Sequence, residues 1–125
     1  MTGYLAVALG GACGAMCRHA VGGVTLRLMG PGFPWGTLTV NVVGSFIMGV
    51  AIALFARYVH ATNELRLLVA TGFLGGFTTF SAFSLDTVLL FERGAVTTAV
   101  AYTVFSVALS IGALFAGLTL IRAMG

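Results

Sequence analysis

The chain has 125 residues, of which 59% are hydrophobic and only 7% are charged, against roughly 25% charged in an ordinary soluble domain. Six arginines and three acids cannot clothe a soluble domain of this size, so lipid is the expected solvent. The net charge of +3 carries no nucleic-acid signal, because Arg18, Arg27, Arg57, Arg66, Arg93 and Arg122 are scattered and no Lys-rich run exists.

A spanning helix needs about 20 apolar residues. The first 17 residues carry no charged side chain, nor do 28–56, 67–85 or 94–121. This predicts a single all-α membrane domain over 1–125, with four spans at roughly 2–29, 35–58, 64–91 and 95–121 and no soluble domain, linker or tail. Cleavage of a leader is not expected, since a positive n-region is missing and the apolar stretch is too long. Gly supplies 18 residues, about twice the usual 7% or so. In water that would weaken helices, but in a membrane it marks close helix packing.

Span one contains "GGACGAMCRHAVGG". Gly10 with Gly14, and Gly11 with Ala15, form small-xxx-small pairs that let backbones approach. Cys13 and Cys17 lack further ligands nearby and read as small packing residues. "GPGFP" at 30–34 is a turn. Span two is bracketed by Trp35 and Tyr58, as interfacial aromatics should bracket a span. Within it, "GTLTVNVVGSFIMG" aligns Thr37, Asn41 and Ser45 at i, i+4 and i+8, one polar stripe on an apolar helix. An amide at the depth of Asn41 either closes an interhelical hydrogen bond or faces a water-filled path.

Span three holds "GGFTTFSAFS", residues 75–84. Gly75 and Gly76 weaken a helix, while Thr78 and Thr79 compete for its backbone hydrogen bonds. Either the helix merely kinks with threonine back-bonding, or it breaks and frees carbonyl oxygens. Irregular backbone at this depth must be buried in protein or line a cavity. Freed carbonyls without a nearby carboxylate suit a hard cation such as Na⁺. Phe80 and Phe83 follow, three apart and on one face. Such a pair is ordinarily core or lipid-facing, yet its positive ring edges could also meet a dehydrated anion. Span four, with "AYTVFSVALS", aligns Tyr102, Ser106 and Ser110 at i, i+4 and i+8, hydroxyls that could continue an anion path.

With four spans, both termini share a side with the 57–66 loop. That side carries Arg57, Arg66 and Arg122, and the other carries Arg27 and Arg93. So slight a bias allows one weakly preferred orientation or insertion both ways, with copies pairing antiparallel. Spans one, two and four contain no Asp or Glu, and His19 and His60 stand alone. Proton coupling usually wants an intramembrane carboxylate or a histidine relay. No nucleophile–base set or phosphate loop is present, since "GGACG" lacks a following Lys, so an enzyme is not expected.

"GGACGAMCRH", "GTLTVNVVGSFIMG" and "GGFTTFSAFS", in order, closely resemble the Fluc (CrcB) fluoride channels, and the likeness extends to "AYTVFSVALS" and nearly the whole chain. The resemblance implies a dual-topology, antiparallel homodimer in a bacterial inner membrane, with two pores that let cytoplasmic fluoride leave passively. It implies one structural Na⁺ at the dimer centre on the backbone carbonyls of Gly75 and Thr78. It implies that Asn41 and the Phe80/Phe83 pair line the pores with Ser81, Ser84, Tyr102, Ser106 and Ser110, and that Arg18 lies near the aqueous vestibule. The family often has Thr where this chain has Ala82, which leaves the hydroxyl duty there to Ser81 and Ser84. A small dual-topology, proton-coupled multidrug exporter would share the size and span count. It needs a glutamate in span one, and residues 2–29 contain none.

Overall fold

The computed structural model describes residues 2–57 and 60–125. Among these the secondary structure is helical throughout: α1 (Thr2–Met29), α2 (Trp35–Arg57), α3 (Asn63–Arg66), a π-helical stretch (Leu67–Leu74), α4 (Gly75–Phe77), α5 (Phe80–Glu92) and α6 (Val96–Ala123). From α3 to α5 the chain forms one interrupted span, Asn63–Glu92, so four segments are long and apolar enough to cross a membrane. The expected spans agree with these to within a few residues. The boundary placed at Tyr58 lies outside the described residues.

Local chemistry sets the ends. Gly30 leaves α1 at φ +78° and Gly94 closes the α5–α6 turn at φ +88°, left-handed values that cost a side chain but not glycine. Thr62 starts α3 by accepting from the Leu65 amide at 3.1 Å, an N-cap bond.

Between apolar helices in lipid there is little hydrophobic drive to associate, so fit decides the packing. Two glycine seams supply it. α1 lies along the π stretch and α4; a Cβ on Gly10 would strike the Leu68 carbonyl oxygen, and one on Gly14 the Phe73 carbonyl oxygen. α2 lies along α6; a Cβ on Gly49 would strike the Leu114 carbonyl oxygen, and one on Gly117 that of Phe46. The small-residue pairs in span one therefore meet the third span. Cys13 and Cys17 do not join that seam: both are exposed on the single chain.

Side chains fill the space between seams in two clusters. Phe83, Leu90, Ala99 and Tyr102 form one, between α5 and α6. Ala51, Phe55 and Leu74 form the other, where α2 meets the third span. The interruption of that span lies between the two clusters.

Candidate functional site

The break is narrower than the glycines suggested. Gly75 to Phe77 stay helical, and only Thr78 (φ −87°, ψ 159°) and Thr79 (φ −154°, ψ 121°) are extended. Gly76 serves contact instead: a Cβ there would sit 2.6 Å from the Gly11 carbonyl oxygen. Sequence reasoning also missed the π-helical stretch before the break, because its residues, LLVATGFL, carry no distinguishing pattern.

Side chains hold the extended residues. Thr79 donates its N–H to Asn41 Oδ1 at 2.8 Å, and its carbonyl accepts from Asn41 Nδ2 at 3.0 Å. Asn41 thus mimics a backbone partner on both sides of one residue. The amide orientation is fixed, since an N–H only donates and a carbonyl only accepts. The second Nδ2 hydrogen remains for another partner. Thr79 Oγ1 then caps α5 by accepting from the Ala82 amide at 3.1 Å. Thr78 back-bonds to the Leu74 carbonyl at 2.8 Å, so the expected threonine back-bonding and a true break coexist.

These bonds decide which carbonyls are left over. In an unbroken helix Gly75 would receive the Thr79 N–H and Thr78 the Ala82 N–H. Both donors are diverted, to Asn41 and to Thr79 Oγ1. Among the described residues neither the Gly75 nor the Thr78 carbonyl accepts a hydrogen bond, and the Phe77 carbonyl shares that state. Gly76 differs, because its carbonyl accepts from Arg18 Nε at 3.0 Å. No group of three or more His, Cys, Asp or Glu side chains gathers among the described residues. The unbonded backbone carbonyls at the break are a donor set that would fit a hard ion.

A cavity of about 350 Å³ opens beside the break. Asn41, Ser45, Thr78 and Thr79 line one side, Phe80 and Phe83 another, and Ser106 and Ser110 of α6 face them. The Oγ atoms of Ser106 and Ser110 are buried without a hydrogen-bond partner. Leaving such hydroxyls unmet costs roughly 1–3 kcal/mol each. An acceptor entering the cavity would find both hydroxyls on one wall.

The remaining expected site residues divide. Thr37 lies on the α2 stripe but faces two adjoining clefts rather than this cavity. Ser81 Oγ lies 3.3 Å from Thr79 Oγ1, and Ser84 back-bonds to the Phe80 carbonyl at 2.9 Å; neither lines the cavity. Phe80 and Phe83 have ring centroids 5.5 Å apart, yet Phe83 is buried against Tyr102 while Phe80 is 77% exposed on the chain. Arg18 lines a separate cleft of about 360 Å³ with His19, Thr37 and Thr79.

Tyr102 stands apart from the two serines of its stripe. It is fully buried, and its hydroxyl donates to Asp86 Oδ2 at 3.1 Å. Asp86 lines a cleft of about 340 Å³ with Thr37, Trp35 and Arg93. Its place beside Tyr102 was not foreseen. The signal was available, since a carboxylate inside an otherwise uncharged span needs a partner.

The comparisons with known proteins cover this whole assembly. Residues 5–118 match the family model described as CrcB-like protein, Camphor Resistance (CrcB). The chain is 62% identical over 120 residues, 96% of each protein, to a fluoride-specific ion channel FluC of Rhizobium leguminosarum bv. trifolii. It is 56% identical over 116 residues, 93% of each protein, to one of Agrobacterium fabrum. It is 53% identical over 124 residues, 99% of each, to one of Mesorhizobium japonicum.

Proposed function

The chain belongs to the CrcB-like protein family, and from that premise we propose that it is a fluoride-selective ion channel of the bacterial inner membrane. It is a multi-pass membrane protein and not an enzyme. One observation carries the reading at the level of residues: the two unpartnered hydroxyls of Ser106 and Ser110 share a cavity with the Asn41 amide.

Fluoride is small and strongly hydrated, so a path must replace its water with donors. Asn41 keeps one N–H for that purpose while its other groups hold Thr79. Ser106 and Ser110 offer O–H groups at successive depths along α6. Phe80 and Phe83 turn rings to the same space. Their edges carry partial positive charge. Several weak sites in series allow passage without trapping. An inside-negative potential favours anion exit by about 2.3 kcal/mol per 100 mV, so no energy source is needed. Tyr102 plays a lesser part as donor, since its hydroxyl proton is committed to Asp86.

The working unit is an antiparallel homodimer with two pores. The exposed Phe80 ring supports this, because it borders the cavity but has 77% of its surface open on a single chain. A second copy would close that side. The Gly75 and Thr78 carbonyls of each subunit would hold a single Na⁺, which would supply positive field when bound. The reading is tested by reconstituting the protein in liposomes loaded with fluoride or chloride. Fluoride efflux with negligible chloride efflux is expected, and no fluoride efflux from a folded dimer would refute it.

A further inference from the structure

We propose that Arg18 is a positioning residue for the cation site at the break: it occupies the Gly76 carbonyl and so withdraws that oxygen from the set that includes the cation-assigned Gly75 and Thr78. The inference rests on the cation reading given under Proposed function. It adds a second role to the expected place of Arg18 near the aqueous vestibule.

The geometry is specific. Gly76 lies between the two carbonyls assigned to the cation. Its own helical donor would be the Phe80 amide, beyond the break. Arg18 replaces that donor from another span, 58 positions away in sequence, with Nε at 3.0 Å from the oxygen. Nε is the one guanidinium nitrogen fixed to the side-chain stem, so this bond sets the direction of the whole planar group. The glycine seam fixes where α1 delivers it. Gly11 and Gly14 press against Gly76 and Phe73 so closely that a Cβ on Gly14 or Gly76 would strike backbone. One turn beyond Gly14, Arg18 reaches Gly76 and no farther.

Its charge suits the place. The helical half of the span ends at Phe77, and carbonyls at a helix C-terminus carry partial negative charge that a cation complements. Four carbonyls from Gly75 to Thr78 lose their helical donors at the break. Arg18 settles one of them permanently. Without it, the Gly76 oxygen competes with its neighbours for the ion, and the peptide planes on either side lose a fixed reference. Arg18 therefore acts on the cation through the carbonyl set.

The test uses the full chain reconstituted in lipid, with Na⁺ exchanged for a bulky organic cation at constant ionic strength. Thermal stability and fluoride efflux are followed against Na⁺ concentration. For Arg18→Lys the Na⁺ concentration giving half the effect is expected to rise. Arg18→Gln, which keeps a planar donor but loses the charge, is expected to rise less. A purely structural role would lower stability equally at every Na⁺ concentration and leave the half-effect unmoved. That result in both variants overturns the proposal. Loss of any Na⁺ response in the unaltered chain would instead overturn the cation reading beneath it.

Discussion

Replacing Asn41 by alanine removes both bonds to Thr79 at once. The 2.8 Å bond from the Thr79 amide and the 3.0 Å bond to its carbonyl disappear, and nothing else in the chain takes their place. Each orphaned group costs roughly 1–3 kcal/mol where water cannot reach it. The cavity of about 350 Å³ beside them admits water, which offsets part of the cost, so the lower end applies. About 2 kcal/mol in total is expected, equivalent to roughly a 30-fold shift against the native break. The substitution also deletes the amide hydrogen that faces the cavity. Fluoride efflux from liposomes should therefore fall at least about tenfold, with a measurable drop in melting temperature of the detergent-solubilised protein. Asn41→Asp should be no better: its carboxylate still accepts from Thr79 N–H but faces the Thr79 carbonyl and the anion with negative charge. Flux and melting temperature both unchanged in Asn41→Ala would refute the view that this amide holds the break.

Ser110→Ala should move function and stability in opposite directions. Its hydroxyl is buried without a partner, so its removal should raise stability by about 1 kcal/mol while slowing fluoride efflux, and a parallel loss of both would contradict the donor role. Phe80→Ile should slow flux sharply while leaving the fold of the chain itself intact, read as an unchanged helical signal by circular dichroism, since the ring is 77% exposed on the chain and contributes little to its internal packing; unchanged flux would remove Phe80 from the path. Gly14→Val should impair folding itself, because even a Cβ would strike the Phe73 carbonyl oxygen. A loss of about 1–3 kcal/mol or more is expected from such overpacking, read as reduced melting temperature and yield. A normally folded variant would show that the seam can spread.

Much of this was legible in the sequence, and the reasons differ by feature. The spans were legible because uncharged stretches of membrane length have few other uses. The polar stripes at Thr37, Asn41 and Ser45, and at Ser106 and Ser110, followed from helical spacing alone. The break was legible as to region but not as to residue. Glycine weakens helices in isolation, and the packing partner of Gly76 on α1 is invisible in sequence. What opens the chain is the pair of extended threonines, held by Asn41 from 38 positions away. The bonds of Tyr102 to Asp86 and of Arg18 to Gly76 escaped for the same reason. Each depends on which helices become neighbours, and spacing within one helix does not encode that. Ser81 and Ser84 show what spacing leaves out: on the single chain their hydroxyls are engaged locally within their own span, and spacing alone does not encode such local bonds.

The central claim is that this cavity passes fluoride and rejects larger anions. It is tested most directly by efflux from liposomes holding about one dimer each, loaded in parallel with fluoride and with chloride, and followed with ion-selective electrodes after a K⁺ ionophore clamps the voltage. The account predicts rapid release of fluoride from the protein-containing vesicles and chloride release no faster than from empty ones. Fluoride retained by vesicles that contain folded protein, or chloride released alongside it, would contradict the account.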